Sequence, residues 1–450
     1  MAHELAVTGV GSQRARTAMS DTRDARTHLP RASIAIAAFS TIVEWYDFTL
    51  YLYLATVLSR VFFTSGDSLL ITLGGFGVAY LMRPVGAIVF GHIGDRYGRR
   101  QTMLASMTMM TIAMLVTALL PTHAQIGSAA GALLLFVRCS MGFSVGGEYT
   151  GVVAYLLEGA PDHRRGFFAS LAAAASEVGA LLAAAIAALT VSIMSEEALI
   201  SWGWRIPFLI GAGLAAITLL ARAAMRESPE FERQQARGTV PRNPLRYSLA
   251  HHRAGIVRGF AISALGSITY YVGITYVPVF LTSTGSIDES GALWLATIAA
   301  VAVIVITPLA GALSDRWGRK PVLVGLALLS AALPITIFGL MANAARAHGM
   351  LGGIVLALVA GGVSAVAAAA TAEQFPGEGR LSGLAFGVTS ATALFGGLAP
   401  YLAQLLLERT GWSPVPGAMI AIVACAVLPV ILMMPETAPR RRPPTRAPQV

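Results

Sequence analysis

The phrase Gly91-x-x-x-Asp95-Arg96-x-Gly98-Arg99-Arg100 returns 220 positions later as Gly311-x-x-x-Asp315-Arg316-x-Gly318-Arg319-Lys320. Each copy closes one long apolar run and opens the next. The chain is therefore two similar halves in tandem. Tandem halves built of apolar runs are the construction of secondary transporters.

The runs belong in lipid. Hydrophobic residues make up 55% of the chain and charged residues 12%, against roughly 25% charged in a soluble domain. That leaves too little charge to cover a water-facing surface. Cys139 and Cys425 both fall inside apolar runs, which excludes a disulfide framework. Residues 1–30 are polar and Arg-rich and carry no apolar segment with a cleavage site, so they read as a tail and not a signal peptide.

At about 20 residues per membrane helix, twelve spans can be placed. The first half gives 33–60, 69–91, 101–121, 128–157, 165–194 and 203–225. The second gives 256–282, 292–313, 321–342, 350–371, 381–407 and 415–434. The expected class is an all-α membrane protein, its twelve transmembrane helices in two pseudo-symmetric six-helix halves, 33–225 and 256–434. A tail (1–32), a linker (226–255) with Pro229, Pro241 and Pro244, and a second tail (435–450) complete the chain.

Arginine sets the orientation. Arg96, Arg99, Arg100, Arg164, Arg165, the linker arginines and Arg316, Arg319 and Lys320 all fall on one side. The opposite loops are nearly free of cations. By the positive-inside rule both termini and the linker are cytoplasmic, in a plasma or inner membrane. The formal net charge of +9 is thereby explained without nucleic acid, and a monomer in the bilayer is expected.

Charges at membrane depth are costly and mark functional paths. Glu44 lies about 16 Å along the first span, near the middle of a ~30 Å core. Asp47 is one turn further on the same face. Arg138, about 15 Å down the fourth span, reaches a similar depth, as does Glu177 in the fifth. Arg83 and Glu148 lie lower and read as helix-end and gate contacts. Desolvation raises the pKa of a mid-depth carboxylate and a nearby Arg lowers it. Asp47, Glu44, Arg138 and Glu177 are thus the candidate proton-coupling residues. The alternative for each is a fixed ion pair that only holds helices together.

The second half offers aromatics instead: Tyr270, Tyr271 and Tyr276, with Trp294 in the next span. Rings facing a cavity can hold an ammonium group. Arg138, Trp45, Tyr270 and Tyr271 are the candidate substrate-binding residues. In the repeated loops, Gly91, Asp95, Arg96, Gly98 and Arg99, with Gly311, Asp315, Arg316, Gly318 and Arg319, are candidate gate residues. Gly allows close helix approach, and Asp can cap a helix or pair with Arg across the halves. Such contacts would lock the outward-open form.

These loops resemble the signature of the major facilitator superfamily. Over about 33–436 the chain resembles its metabolite:proton symporter branch, which includes proline/betaine, shikimate, α-ketoglutarate and citrate carriers. The resemblance rests on EWYDF (Glu44–Phe48), LMRPVGAIVFGHIGDRYGRR (Leu81–Arg100), GFSVGGEYTG (Gly142–Gly151), APDHRRGF (Ala160–Phe167), WGWRIPF (Trp202–Phe208), RESPEF (Arg226–Phe231) and LSDRWGRKP (Leu313–Pro321). It implies rocking halves around a central cavity. It also implies that Arg138-x-x-x-Gly142 is linked to proton movement and that Asp95 and Asp315 latch the cytoplasmic gate. The Gly-Pro motif of drug:proton antiporters is missing from the fifth span, which reads AAAASEVGAL over Ala172–Leu181, and Glu177 matches no family residue. The chain ends soon after Glu436, without the coiled coil of osmosensing members, so osmotic activation is not expected.

The expected function is proton-coupled uptake of a small organic solute. One central Arg beside rings suits a zwitterion or monocarboxylate such as proline or betaine. The alternatives are a di- or tricarboxylate (α-ketoglutarate, citrate) or shikimate, efflux by antiport, and a sensor that binds without transport. An enzyme is not expected. The one lysine, Lys320, sits in no phosphate-binding loop. No His, Cys and carboxylate cluster has metal spacing, so no metal or cofactor is called for beyond the proton.

Overall fold

The computed structural model describes residues 30–63, 68–284, 286–287, 289–342, 346–375 and 377–439. Most of the expected first tail and the arginines at 440–442 lie outside them. Every regular element among the described residues is helical.

Twelve long helical segments follow one another. In the first half they are α1 (Arg31–Tyr53, continued by Ala55–Phe62), α2 (Ser68–Tyr97), α3 (Arg99–Leu119), α4 (Ala129–Val145, continued by Glu148–Gly159), α5 (Arg165–Ile193) and α6 (Arg205–Ala223). In the second they are α7 (Arg253–Tyr270, continued by Val277–Ser283), α8 (Glu289–Trp317), α9 (Arg319–Met341), α10 (Arg346–Ala372), α11 (Arg380–Thr392, continued by Ala399–Thr410) and α12 (Val415–Met433). Nine of the described helices are long and apolar enough to cross a membrane, and α7, bent by 41°, makes a tenth. Of the other two, α1 is diluted by Glu44 and Asp47. Large apolar side chains such as Leu220, Leu340, Phe136 and Ile422 are exposed on the outside. That belt suits lipid and not water.

Four of the twelve segments are not continuous α-helices. α7 and α11 each pass through a wide helical turn, Tyr271–Thr275 and Ala393–Gly397. A proline follows each turn, Pro278 and Pro400, and its missing N–H ends the ladder there. α1 breaks at Leu54, and α4 at Gly146–Gly147. The linker holds two short helices, Pro229–Arg237 and Pro244–His251, capped by the side chains of Ser228 and Asn243.

Each half has its own apolar core. Val43, Tyr46, Leu50, Trp204 and Phe208 pack together in the first, and Leu265, Leu323, Val366 and Ile431 in the second. The halves meet along two matched seams, α2 against α11 and α5 against α8. A further cluster joins Met103 and Tyr155 to Phe375, Leu381 and Leu384. It closes the molecule on the face that carries the two repeated loops, called the motif face below.

Candidate functional site

The motif face is closed by two copies of one clasp. Gly98 and Gly318 stand between α2 and α3 and between α8 and α9 with φ of 114° and 106°, a conformation that favours glycine. Gly91 and Gly311 sit where a Cβ would lie 3.0 Å from Ser382 Cα and 2.7 Å from Gly166 O, so each permits its seam. The seams bring each Asp to a helix start in the other half. Asp95 accepts from the backbone N–H of Leu381 (3.1 Å) and Ser382 (2.7 Å) on α11. Asp315 accepts from Gly166 (2.8 Å) and Phe167 (2.9 Å) on α5. A carboxylate at a helix N-terminus is favoured by both the free N–H groups and the helix dipole.

Arg99 pairs with Asp95 (3.1 Å) and Glu158 (3.1 Å), and Arg319 with Asp315 (2.9 Å) and Glu373 (3.1 Å). Glu227 accepts from the N–H of Arg99 (2.9 Å), and Glu436 from that of Arg319 (2.8 Å). Burial pushes the Glu227 carboxyl up, while its bonds from the N–H of Ser228 and Arg100 favour the charged form. The copies differ at the seam: Arg380 crosses it to Glu158 (3.0 Å), whereas Arg165 pairs locally with Asp162 (2.7 Å). Arg96 and Arg316 are exposed, and Arg96 donates to the Arg242 carbonyl of the linker.

Beyond the clasps a cavity of about 150 Å³ lies between the halves. Rings from both halves meet on its wall. Tyr270 on α7 donates to Glu177 on α5 (2.5 Å) and packs edge-on to Trp45 (5.7 Å between centroids). The hydroxyls of Tyr80 and Tyr271 are hydrogen-bonded to each other. Trp45 Nε1 is buried with no hydrogen-bond partner among the described residues, so it is a donor available to a ligand. Serine and threonine hydroxyls, including Ser176, Ser267 and Thr371, line the rest.

The guanidinium in this cavity belongs to Arg83, stacked 4.4 Å from the ring centroids of both Phe48 and Tyr80. Among the described residues it makes no ion pair. The sequence places it lower, as a helix-end or gate contact. It stands fourteen residues, or about 21 Å, before the end of α2 at Tyr97, because α2 runs past the expected span end at 91. Glu148, read as a gate residue, is buried and pairs with Arg222 and Ser106.

Arg138 and Asp47 face a second, smaller chamber of about 30 Å³. Arg138 Nη1 and Nη2 donate to the two Asp47 oxygens at 2.9 and 3.3 Å, and Nη2 also to Thr117 (3.3 Å). The Tyr51 ring lies 5.1 Å from the guanidinium. Asp47 is fully buried. Arg138 lines this chamber and not the larger cavity, whereas Trp45, Tyr270, Tyr271, Glu44 and Glu177 do line the larger one.

Sequence reasoning did not assign Arg83 to the cavity, and it missed Arg380 and the four glutamates of the clasps. A signal for the glutamates was present. Glu158-x-x-Pro161 recurs as Glu373-x-x-Pro376, and Glu227-Ser228 as Glu436-Thr437. These are short echoes of the same duplication.

Residues 33–242 match the family described as Sugar (and other) transporter, and 281–450 match the Major Facilitator Superfamily. The alpha-ketoglutarate permease of Escherichia coli is 34% identical over 89% of this chain and 93% of its own length. The glycine betaine/proline/ectoine/pipecolic acid transporter OusA of Dickeya dadantii is 31% identical over 91% of this chain and 84% of its own. The citrate-proton symporter of Klebsiella pneumoniae is 32% identical over 86% and 88%. Among solved structures, the proton:xylose symporter XylE superposes with a TM-score of 0.74 at 19% identity, covering 90% of this chain and 96% of that one. That likeness shows a shared fold.

Proposed function

The chain belongs to the major facilitator superfamily, and within it we propose a proton-coupled symporter that imports a small carboxylate-bearing solute by alternating access. It is a transporter and not an enzyme, as its relatives are. The observation that carries the symport reading is a sealed, bidentate Asp47–Arg138 pair beside a solute-sized cavity between the halves. Protonating Asp47 would cancel the charge that holds Arg138, so proton binding can move a cation next to the cavity.

The halves are taken as 33–225 and 256–434, joined by a cytoplasmic linker, 226–255, so that the motif face looks into the cytoplasm. The closed clasps then make this the outward-facing or occluded arrangement. Residues 1–32 and 435–450 would be cytoplasmic tails, and the protein a monomer in the inner membrane.

The relatives' names share one chemical feature: proline, glycine betaine, ectoine, pipecolic acid, alpha-ketoglutarate and citrate each carry a carboxylate. Arg83 is the group to meet it, as a bidentate donor already flattened against two rings. Trp45, Tyr270 and Tyr271 form the remaining wall. Arg138 joins them only once Asp47 lets it go. One cation against Glu44 and Glu177 favours a zwitterion or monocarboxylate, such as proline or betaine, over a trianion. A dicarboxylate is the second reading, favoured by the 34% identity to the alpha-ketoglutarate permease.

The test is uptake of labelled proline, and separately of α-ketoglutarate, into proteoliposomes under an inward proton gradient. Accumulation that a protonophore abolishes is expected for one of them. Accumulation that survives the protonophore would overturn proton coupling. Arg83→Gln should raise KM for the accumulated solute at least tenfold, from the loss of a charge-assisted bidentate contact. An unchanged KM removes Arg83 from the binding site.

A further inference from the structure

Glu44 is the charged group that the Asp47–Arg138 switch leaves unused. It is buried, with one carboxylate oxygen, Oε2, unpartnered among the described residues. Buried polar groups are ordinarily satisfied, and one that is not asks for a reason. Its position supplies one. Glu44 lines the large cavity and also the small chamber that holds Asp47 and Arg138. Of the carboxylates in the chamber, Asp47 does not reach the cavity wall, and Glu177 on the cavity wall does not reach the chamber. Glu44 alone among them borders both spaces.

We propose that Glu44 is a proton relay, passing the proton from the solute cavity to Asp47 without itself being the site that the transport cycle counts. The inference rests on the proton-coupled reading above. In the step, the O–H bond of a protonated Glu44 breaks as an O–H bond forms on Asp47. Asp47 becomes neutral and loses its hold on Arg138, and Glu44 returns to the carboxylate, ready for the next proton from the cavity. The two residues stand at i, i+3 on α1, on neighbouring positions of one face, and both line the small chamber.

The charges around Glu44 suit a passing proton better than a fixed pair. α2 presents Arg83, and α4 presents Arg138, Tyr149 and Glu148, the last neutralised by Arg222 of α6. α5 presents Glu177, which is occupied by Tyr270 of α7 beside Tyr271. Among the described residues no cation comes within ion-pair distance of Glu44 to hold it permanently charged. Arg83 faces both Glu44 and the cavity, so a solute carboxylate on Arg83 and a proton on Glu44 would favour each other's binding.

A relay and a counted proton site differ in what they control. A relay sets how fast protons arrive, whereas the counted site sets how far solute can be concentrated. The experiment uses full-length protein in proteoliposomes under a fixed proton gradient, with labelled proline, or with α-ketoglutarate if proline is not accumulated. Glu44→Gln should lower the initial uptake rate at least tenfold yet reach the wild-type accumulation ratio at long times. Glu44→Asp, which keeps the acid, should recover a large part of the rate. The thermal midpoint of each variant, compared with wild type, reports folding. An unchanged initial rate in Glu44→Gln overturns the relay. So does a lower final ratio in a folded variant, since Glu44 would then be the counted site. If wild type accumulates neither solute, the symport reading falls and this inference with it.

Discussion

Asp47→Asn is expected to abolish concentrative uptake while leaving exchange of solute across the membrane. Asparagine keeps the size and the acceptor oxygen but can neither ionise nor take a proton, so it imitates a permanently protonated Asp47. In the wild type the two carboxylate oxygens each receive one Arg138 nitrogen, at 2.9 and 3.3 Å, in a fully buried setting. Losing the anion leaves a buried guanidinium unpaired, at a cost of about 3 to 5 kcal/mol if nothing rearranges. The chamber offers a way out: Arg138 can swing from its present anchor on Thr117 toward the large cavity. The accumulation ratio under an inward proton gradient should fall to about one, whereas counterflow of labelled against unlabelled solute, which needs no net proton movement, should persist. An Asp47→Asn protein that still concentrates solute would show that Asp47 does not carry the proton.

The parts of this site that the sequence discloses are those set by spacing along a helix. Rise per residue puts Glu44, Asp47 and Arg138 at one depth, and the period puts Glu44 and Asp47 on one face. In the structure all three residues line one small chamber, where Arg138 bonds Asp47. Spacing does not disclose how a helix is rotated against its neighbours. That rotation turns Asp47 into Arg138 of α4 while Glu44 borders both spaces, and it keeps Arg138 off the cavity where the solute was expected to meet it. Arg83 was misplaced for a different reason. The expected span ends at 91, whereas α2 runs to Tyr97, so Arg83 stands a turn and more further from the helix end than a span ending at 91 places it.

The gate shows the same division. A duplicated Gly and Asp announce a duplicated structural task, and Asp95 was legible as a cap or an ion-pair partner. Which helix it caps was not legible, since Leu381 and Ser382 lie more than 280 positions away and offer only backbone N–H groups. A backbone partner leaves no mark in side-chain identity. The glutamates that complete the clasps did leave one, as the repeated Glu-x-x-Pro and Glu-Ser/Thr phrases.

Because the two clasps lie on separate seams, their contributions should add. Asp95→Asn and Asp315→Asn each retain an acceptor oxygen but lose the charge that meets two backbone N–H groups, a helix N-terminus and an arginine. Charge-assisted bonds and the dipole term together make each loss about 2 kcal/mol. The double variant should therefore weaken the closed motif face by about 4 kcal/mol, roughly a thousandfold in the ratio of closed to open. The loss falls chiefly on the closed state, since the backbone N–H groups that meet each aspartate belong to the other half. Thr371 lines the cavity near the motif-face end of α10, so a Thr371→Cys reporter reads the opening once Cys139 and Cys425 are replaced by serine. An impermeant maleimide applied from the motif face should label the double variant at least tenfold faster than the reporter protein with both aspartates intact, with each single variant in between. Equal labelling rates would mean that the apolar cluster of Met103, Tyr155, Phe375, Leu381 and Leu384 holds the face shut by itself. In that case the repeated aspartates serve the assembly of each half and not the movement between them.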